Sequence, residues 1–178
     1  MKVKADWDLV LVNPGGGTET YQSLATTLTA IEPPVWAGLM ATFVRQRGFS
    51  VFVLDAQAEN LSPEEAAEKI ARLRPLLTAV VVYGHQPSAS TQNMPGAGAI
   101  CTALKRRAPE RLTMLVGGHV AALPERTLRE EDADLVCGGE GPYTIVECLQ
   151  ALKAGQPDYG KVRGLWYRDG DGIRCTPP

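Results

Sequence analysis

The sequence contains few of the residues that build metal centres or disulfide networks. It has only two histidines and four cysteines among 178 residues. A zinc site or a disulfide framework needs cysteines at characteristic close spacings, and no CxxC pair is present, so neither is expected. We predict instead that the thiols are small buried hydrophobic groups. They are Cys101, Cys137, Cys148 and Cys175.

An excess of charge of one sign is also missing. Lys and Arg number 18 against 20 Asp and Glu, so the chain has no basic surface of the kind that attracts nucleic acid or an anionic membrane. No apolar run approaches the ~20 residues that cross a bilayer. The first apolar stretch is broken by Asp8 and is too short for a signal peptide. We therefore expect a cytoplasmic protein without nucleic-acid or membrane partners.

Short apolar runs recur along the chain, with helical segments between them. The runs are apolar on both faces, which is typical of parallel strands covered by helices. They occupy residues 8–13, 50–55, 78–83, 112–117 and 133–138. This alternation predicts an α/β, doubly wound, Rossmann-like fold with a five-stranded parallel sheet.

The intervening segments carry helix start and stop signals. The segment 33–48 begins with two prolines, ends at a glycine and places Val35, Leu39 and Phe43 on one stripe. The segment 62–75 begins with an N-cap serine and a proline, which gives the clearest helix prediction. Further helices are expected over residues 94–107, 124–130 and 142–154.

The pattern changes near the end of the chain. Residues 162–177 read VRGLWYRDGDGIRCTP, in which DGDG predicts the turn of a β-hairpin. We expect this hairpin to be an appendage outside the parallel sheet. The predicted organisation is a domain over residues 1–157, followed by a hairpin and connection over residues 158–178.

The unusual residues follow the predicted strands, where open parallel sheets bind ligands. NPGGGTETYQ begins a long segment after the first strand, and YGHQPSASTQN follows the third. GGH follows the fourth strand and GGEG follows the fifth. A glycine pair at a strand end indicates either a ligand close to the backbone or a tight strand-to-helix turn.

Several familiar sites match these segments poorly. The glycines after the first strand lack the lysine of a phosphate-binding P-loop, and no GxGxxG opens a helix there. A triad of Ser88, His119 and Asp55 would lack the GxSxG elbow. The two histidines are each more typical of loop hydrogen bonding than of a metal centre.

Six segments in order carry a resemblance to a known family. They read VNPGGG, EPP, RGFSVFVLDA, VGGHVAALPE, ADLVCGGEG and RGLWYRDGDGIRCTP. Together they resemble the N-terminal cobalamin-binding domain of cobalamin-dependent radical S-adenosylmethionine enzymes. One departure is Pro142, where relatives commonly carry an acidic residue after Gly-Glu-Gly.

The resemblance implies a cobalamin whose dimethylbenzimidazole tail is detached from cobalt and buried beside the sheet. A Cβ at Gly117 or Gly118 would then occupy the space of the tail, while Ser88, Ser90 and Thr91 donate hydrogen bonds to the tail and its phosphate. The full set of implied cofactor-binding residues is Asn13, Gly15, Gly16, Thr18, Glu19, Tyr21, Asp55, His85, Gln86, Ser88, Ser90, Thr91, Gly117, Gly118, His119, Gly138, Gly139, Glu140 and Gly141.

The resemblance also bears on the lower face of cobalt. Methionine-synthase-like modules carry DxHxxG after the first strand, and this chain has no histidine there. Base-off, His-off cobalamin is therefore implied. His85 remains a possible lower cobalt ligand or a loop hydrogen-bonding residue, and we favour the arrangement in which it does not ligate.

A radical S-adenosylmethionine enzyme needs a CxxxCxxC motif for its [4Fe–4S] cluster, and this chain has none. The cluster and S-adenosylmethionine would belong to a separate or missing domain. We therefore expect no catalytic residue here, but a module that presents (methyl)cobalamin to a radical S-adenosylmethionine domain or protein, for methyl transfer. The alternative is a flavodoxin-like nucleotide- or flavin-binding domain with a regulatory or interaction role.

Overall fold

Strands and helices alternate along most of the chain. The computed structural model describes residues 5–15, 33–84, 87–170 and 172–178, without the side chains of Pro87 and Ser88. The strands are β1 (Trp7–Asn13), β2 (Val51–Asp55), β3 (Pro75–Val82), β4 (Thr113–Gly117), β5 (Leu135–Cys137), β6 (Leu165–Asp169) and β7 (Gly172–Cys175). The helices are α1 (Val35–Arg45), α2 (Pro63–Leu73), α3 (Pro87–Gln92), α4 (Met94–Arg107), α5 (Gly118–Ala122), α6 (Pro124–Glu130) and α7 (Pro142–Lys153), followed by a 3₁₀ turn (Tyr159–Lys161).

The strands form one sheet in the order β2-β1-β3-β4-β5-β6-β7. The first five are parallel, as the apolar runs predicted. The predicted C-terminal hairpin is confirmed, and it extends the edge of the parallel sheet by two antiparallel strands. β6 pairs antiparallel with β5, and β7 with β6, so the sheet has seven strands. The short β5 is buried along its whole length, and β6 satisfies the backbone groups on its outer edge.

Helices cover both faces of the sheet, and the sheet divides the core into two layers. Helices α1 and α7 pack on one face, and α2, α4, α5 and α6 pack on the other. Successive strand residues contribute to alternate layers, as strand geometry requires. In β1, Leu9 and Leu11 face the α1–α7 layer, whereas Val10 and Val12 face the other layer.

Local signals account for where several helices begin. Ser62 and Glu65 form a reciprocal capping box at α2: the Ser62 Oγ accepts from the Glu65 N–H at 3.2 Å, and the Glu65 carboxylate accepts from the Ser62 N–H at 2.9 Å. The helices predicted over residues 94–107, 124–130 and 142–154 are confirmed to within one residue. The short α3 and α5 have too few residues to show a period and were not predicted.

The exposure of apolar side chains is uneven in two places. On α1, Val35 and Leu39 are each 59% exposed, and the helix buries Ala37, Met40, Ala41 and Val44. Among the cysteines, Cys101, Cys137 and Cys148 are buried as expected, but Cys175 is exposed because it ends the edge strand β7. In the described parts of the chain, no helix has both the length and the apolar character needed to cross a membrane.

Candidate ligand site at the carboxyl edge of the sheet

The predicted site residues that the structure describes gather at the carboxyl ends of the parallel strands. They are Asn13, Gly15, Asp55, Ser90, Thr91, Gly117, Gly118, His119, Gly138, Gly139, Glu140 and Gly141. The predictions for Gly16, Thr18, Glu19, Tyr21, His85 and Gln86 lie outside the described residues, as does the side chain of Ser88.

The sheet order creates a crevice at this edge. β1 and β3 are neighbours, yet α1 and α4, which follow them in the chain, lie on opposite faces of the sheet. The connections after two adjacent strands therefore diverge, which is the usual position for a ligand in an open α/β sheet. The segments singled out after the first and third strands both start at this crevice.

Ser90 joins two of the connections at this edge. Its side chain is buried, and its hydroxyl donates to the carbonyl oxygen of Val82 at the end of β3. The Ser90 Oγ also accepts a hydrogen bond from the backbone N–H of His119, in the first turn of α5, at 2.9 Å. The predicted hydrogen bond from Ser90 to a ligand stays a prediction, and in this structure the one hydroxyl proton of Ser90 is directed at Val82.

Thr91 and His119 form the polar rim beside Ser90. The Thr91 Oγ1 lies 3.0 Å from the His119 Nδ1, and the Thr91 side chain is exposed. One of these two atoms donates and the other accepts, according to the tautomer of the imidazole. Both predicted residues are thus adjacent at the edge of the site.

The two glycines after β4 have different roles. A Cβ at Gly117 would lie 2.0 Å from the carbonyl oxygen of Val82, so this glycine allows β3 and β4 to end in close contact. The tight-turn interpretation therefore accounts for Gly117 in this structure, and a ligand contact at this residue stays a prediction. Gly118 is exposed, and a Cβ there would meet only the side chain of Ser90, at 3.6 Å from the Oγ. Gly118 is the member of the pair that a ligand can approach.

The glycines after β5 also divide into packing and open positions. A Cβ at Gly138 would lie 2.8 Å from the Trp166 Nε1, so the hairpin requires the glycine. Gly141 has a φ of +102°, which disfavours residues with a side chain, and a Cβ there would also lie 2.6 Å from the Val116 Cγ2. Among the residues that the structure describes, no heavy atom lies within 4 Å of a Cβ built at Gly139, which therefore borders open space.

Asn13 and Asp55 bind one another at the far side of the crevice. The Asn13 Nδ2 donates to the Asp55 Oδ1 at 2.9 Å, and the same oxygen accepts from the Ala58 N–H at 3.1 Å. Three strand spacings separate β2 from β4, or ~14 Å, so the structure does not assemble Asp55 and His119 into a catalytic triad.

Two aromatic residues at this edge were not among the site residues predicted from the sequence. Trp36, in the first turn of α1, stacks on Tyr83, which directly follows β3, with ring centroids 4.7 Å apart. The Tyr83 hydroxyl donates to the carbonyl oxygen of Glu140 at 3.4 Å, and burial raises the pKa of Tyr83 to about 12. The sequence signal that could have indicated Trp36 is its position in the first turn of a helix, immediately after the long connection that follows β1.

The described edge offers a ligand several kinds of contact. Gly118 and Gly139 leave backbone accessible, Thr91 and His119 supply hydrogen-bonding groups, and Trp36 presents an apolar ring. These groups lie on four different connections, so a ligand that touches all of them must extend across several strand ends.

Comparison with known proteins identifies the ligand class. Residues 21–149 match the model of the B12 binding domain family. The chain is 29% identical over 160 residues to an uncharacterized methyltransferase of Pyrococcus horikoshii, an alignment that covers 89% of this chain and 33% of the relative. It is 26% identical over 172 residues to the anaerobic magnesium-protoporphyrin IX monomethyl ester cyclase of Cereibacter sphaeroides, which covers 94% of this chain and 26% of that protein.

Solved structures share the fold. The radical S-adenosylmethionine methyltransferase TsrM from Kitasatospora setae, with cobalamin and a [4Fe–4S] cluster bound, matches with a TM-score of 0.73 and 20% identity over 96% of this chain and 28% of that one. The cobalamin-dependent radical enzyme OxsB, with aqua-cobalamin and S-adenosylmethionine bound, matches with a TM-score of 0.67 and 16% identity over 95% of this chain and 22% of that one. This chain thus spans about a third or less of each of these relatives. Because the family model matches well over half of its residues, the chain belongs to the B12 binding domain family, and its cofactor is cobalamin.

Proposed function

We propose that this chain presents base-off, His-off cobalamin to a radical S-adenosylmethionine catalytic domain, for methyl transfer. The observation that carries the proposal is the 2.9 Å hydrogen bond from the His119 N–H to Ser90. It holds the connections after β3 and β4 together and leaves Gly118 accessible beside the crevice. The names of the relatives support the methyl-transfer class, since one is a methyltransferase of Pyrococcus horikoshii and another is TsrM.

Bound cobalamin supplies a cobalt centre that can accept and release a methyl group, while the protein supplies orientation and burial. In this chain Gly118 and Gly139 admit the ligand to the backbone, and Thr91 with His119 offers hydrogen bonds to its polar groups. The hydrogen bond from Tyr83 to Glu140 fixes the connection after β5 on the other side of the site.

Sequence supports the remaining parts of the proposal. The connection after β1 contains no DxHxxG histidine, which supports a His-off cobalamin. The absence of CxxxCxxC supports a partner domain that holds the [4Fe–4S] cluster and S-adenosylmethionine. The module itself then needs no catalytic residue of its own.

Binding is tested by mixing the purified protein with hydroxocobalamin and separating unbound corrinoid by gel filtration. We expect a red chromophore retained at one equivalent per chain, with no retention of flavin mononucleotide or ATP under the same conditions. The strand order of the first five strands is also that of flavodoxin-like proteins. Retention of flavin or nucleotide without cobalamin would therefore contradict the proposal and support that alternative.

The methyl-transfer part needs a second measurement. The cobalamin-loaded protein, reduced and supplied with S-adenosylmethionine and a cluster-containing radical domain of a relative, should yield methylated corrinoid or substrate. Retention of cobalamin without any methyl transfer to such a partner would leave a B12 carrier and contradict the presenting role.

A further inference from the structure

Trp36 and Tyr83 form a stacked pair at the carboxyl edge, on the face of the sheet opposite Ser90. Their ring centroids are 4.7 Å apart with planes inclined by 23°. Tyr83 is half-buried, whereas Trp36 is 46% exposed. The pair connects the start of α1 to the end of β3, and the Tyr83 hydroxyl reaches the connection after β5.

The outer surface of this pair is not explained by packing within the described parts of the chain. Val35 and Leu39 flank Trp36 on α1, and each of them is 59% exposed. Burial of large apolar side chains stabilises a protein, so three of them at the surface of one helix are not accounted for by the fold. Contiguous exposed apolar groups of this kind commonly mark a ligand or partner site.

The position of the pair favours a ligand at the crevice. α1 follows β1 and Tyr83 follows β3, the two strands between which the crevice opens. The other tryptophans lie elsewhere: Trp7 begins β1 at the opposite edge and packs on Phe52, and Trp166 packs on Gly138. Trp36 is therefore the tryptophan that is both exposed and adjacent to the candidate site.

We propose that Trp36 and Tyr83 form an apolar wall of the cobalamin site, against which the corrin ring packs. This inference rests on the proposed function, because it takes cobalamin as the ligand. The corrin is a large conjugated ring that carries methyl groups as well as amide side chains at its periphery, and aromatic side chains offer a large apolar surface to such a ligand. The wall is built from α1 and the end of β3, whereas Thr91 and His119 lie in α3 and α5.

Tyr83 positions Trp36 in this arrangement. Its hydrogen bond to the Glu140 carbonyl fixes the phenol ring, and the fixed ring supports the indole from one side. Phe at position 83 would keep the stacking surface and lose the hydrogen bond. Tyr83→Phe should accordingly weaken cobalamin binding less than Trp36→Ala does.

The first test compares dissociation constants for hydroxocobalamin, measured by equilibrium dialysis. Trp36→Ala should raise the dissociation constant about tenfold, and Trp36→Phe should restore most of the affinity because it keeps a ring on Tyr83. The matched control is Leu123→Ala, which removes another exposed apolar side chain, 40% exposed, from the opposite face of the sheet. This control should bind like the parent.

The second test reads contact directly, by hydroxyl-radical footprinting and mass spectrometry with and without hydroxocobalamin. Trp36 and Leu39 should become protected when the corrinoid binds, and Leu123 should not. Equal affinities together with an unchanged footprint, in a parent that binds cobalamin, would overturn this inference alone and leave the apolar surface to a protein partner. Failure of the parent to bind cobalamin would overturn both this inference and the proposed function.

Discussion

The backbone N–H of His119 donates a 2.9 Å hydrogen bond to the hydroxyl of Ser90, 29 residues earlier in the chain. Ser90 in turn donates to the carbonyl of Val82, so one side chain joins the end of β3 to the start of α5. The hydroxyl is buried and replaces the backbone partners that these two groups lack at the ends of their elements. The geometry of the site at Gly118 therefore depends on this single oxygen.

Removal of that hydroxyl should destabilise the protein. Ser90→Ala leaves the part-buried N–H of His119 and the buried carbonyl of Val82 without their partner, and we expect the free energy of unfolding to fall by about 2 kcal/mol. Urea denaturation followed by circular dichroism measures the change. Thr91→Ala is the matched control, since the neighbouring hydroxyl is exposed, and it should cost less than about 0.5 kcal/mol. Equal losses in the two variants would contradict the structural role given to Ser90.

The glycine pair should separate stability from binding. In Gly117→Ala the new Cβ would lie 2.0 Å from a backbone oxygen, and we expect a loss of about 3 kcal/mol in the free energy of unfolding. In Gly118→Ala the contact is 3.6 Å, so stability should stay within about 1 kcal/mol of the parent while cobalamin affinity falls. A Gly118→Ala protein that retains cobalamin like the parent would show that the ligand does not approach this residue.

Alkaline pH should weaken the fold through two tyrosines. Burial raises the pKa of Tyr83 and Tyr159 from 10.0 to about 12. A folded-state pKa above the unfolded value favours the folded state while the phenol is protonated. This contribution is complete below pH 10 and is lost as the pH rises toward 12. Urea titrations between those limits should show the decline, and Tyr159→Phe should reduce it. A flat profile would indicate that both phenols ionise freely in the folded protein.

Electron paramagnetic resonance of the Co(II) form tests the His-off state. Without a nitrogen ligand below cobalt, the cobalt lines should lack the threefold splitting that an axial nitrogen nucleus causes. His85 is the histidine of the connection after β3, so a splitting that disappears in His85→Ala would make it a ligand and contradict this prediction. A splitting that persists in His85→Ala would indicate instead that the cobalamin tail remains bound to cobalt.

Apolar pattern predicted the fold better than it predicted the site. The five parallel strands could be predicted because burial on both faces leaves continuous apolar runs, such as that ending at Gly117. The pairing of the hairpin with β5 could not be predicted, because Leu165 and Cys137 are far apart in sequence and nothing local specifies that they pair. The orientation of α1 was not predicted either, since residue type alone does not show that Val35 and Leu39 are exposed.

The roles of individual site residues could not be predicted, because the sequence does not show what each side chain contacts. Gly117 and Gly118 are identical in sequence terms, and only the contact with Val82 distinguishes the packing glycine from the accessible one. Ser90 was recognised as important from its position, but the direction of its proton requires the geometry of the strand end. Trp36 was overlooked because its stacking partner lies on a different element.

The pairing of β5 with β6 has a consequence for how the protein is made. β5 is three residues long, is fully buried and is hydrogen-bonded on one side by a strand that comes later in the chain. A ribosome adds ~5–20 residues per second, so β5 emerges on the order of seconds before Leu165–Asp169 can cover it. During that interval the nascent sheet exposes an apolar, unpaired edge to other chains. Synthesis of the hairpin therefore lets β6 pair with β5, which removes this exposed edge as a site of aggregation.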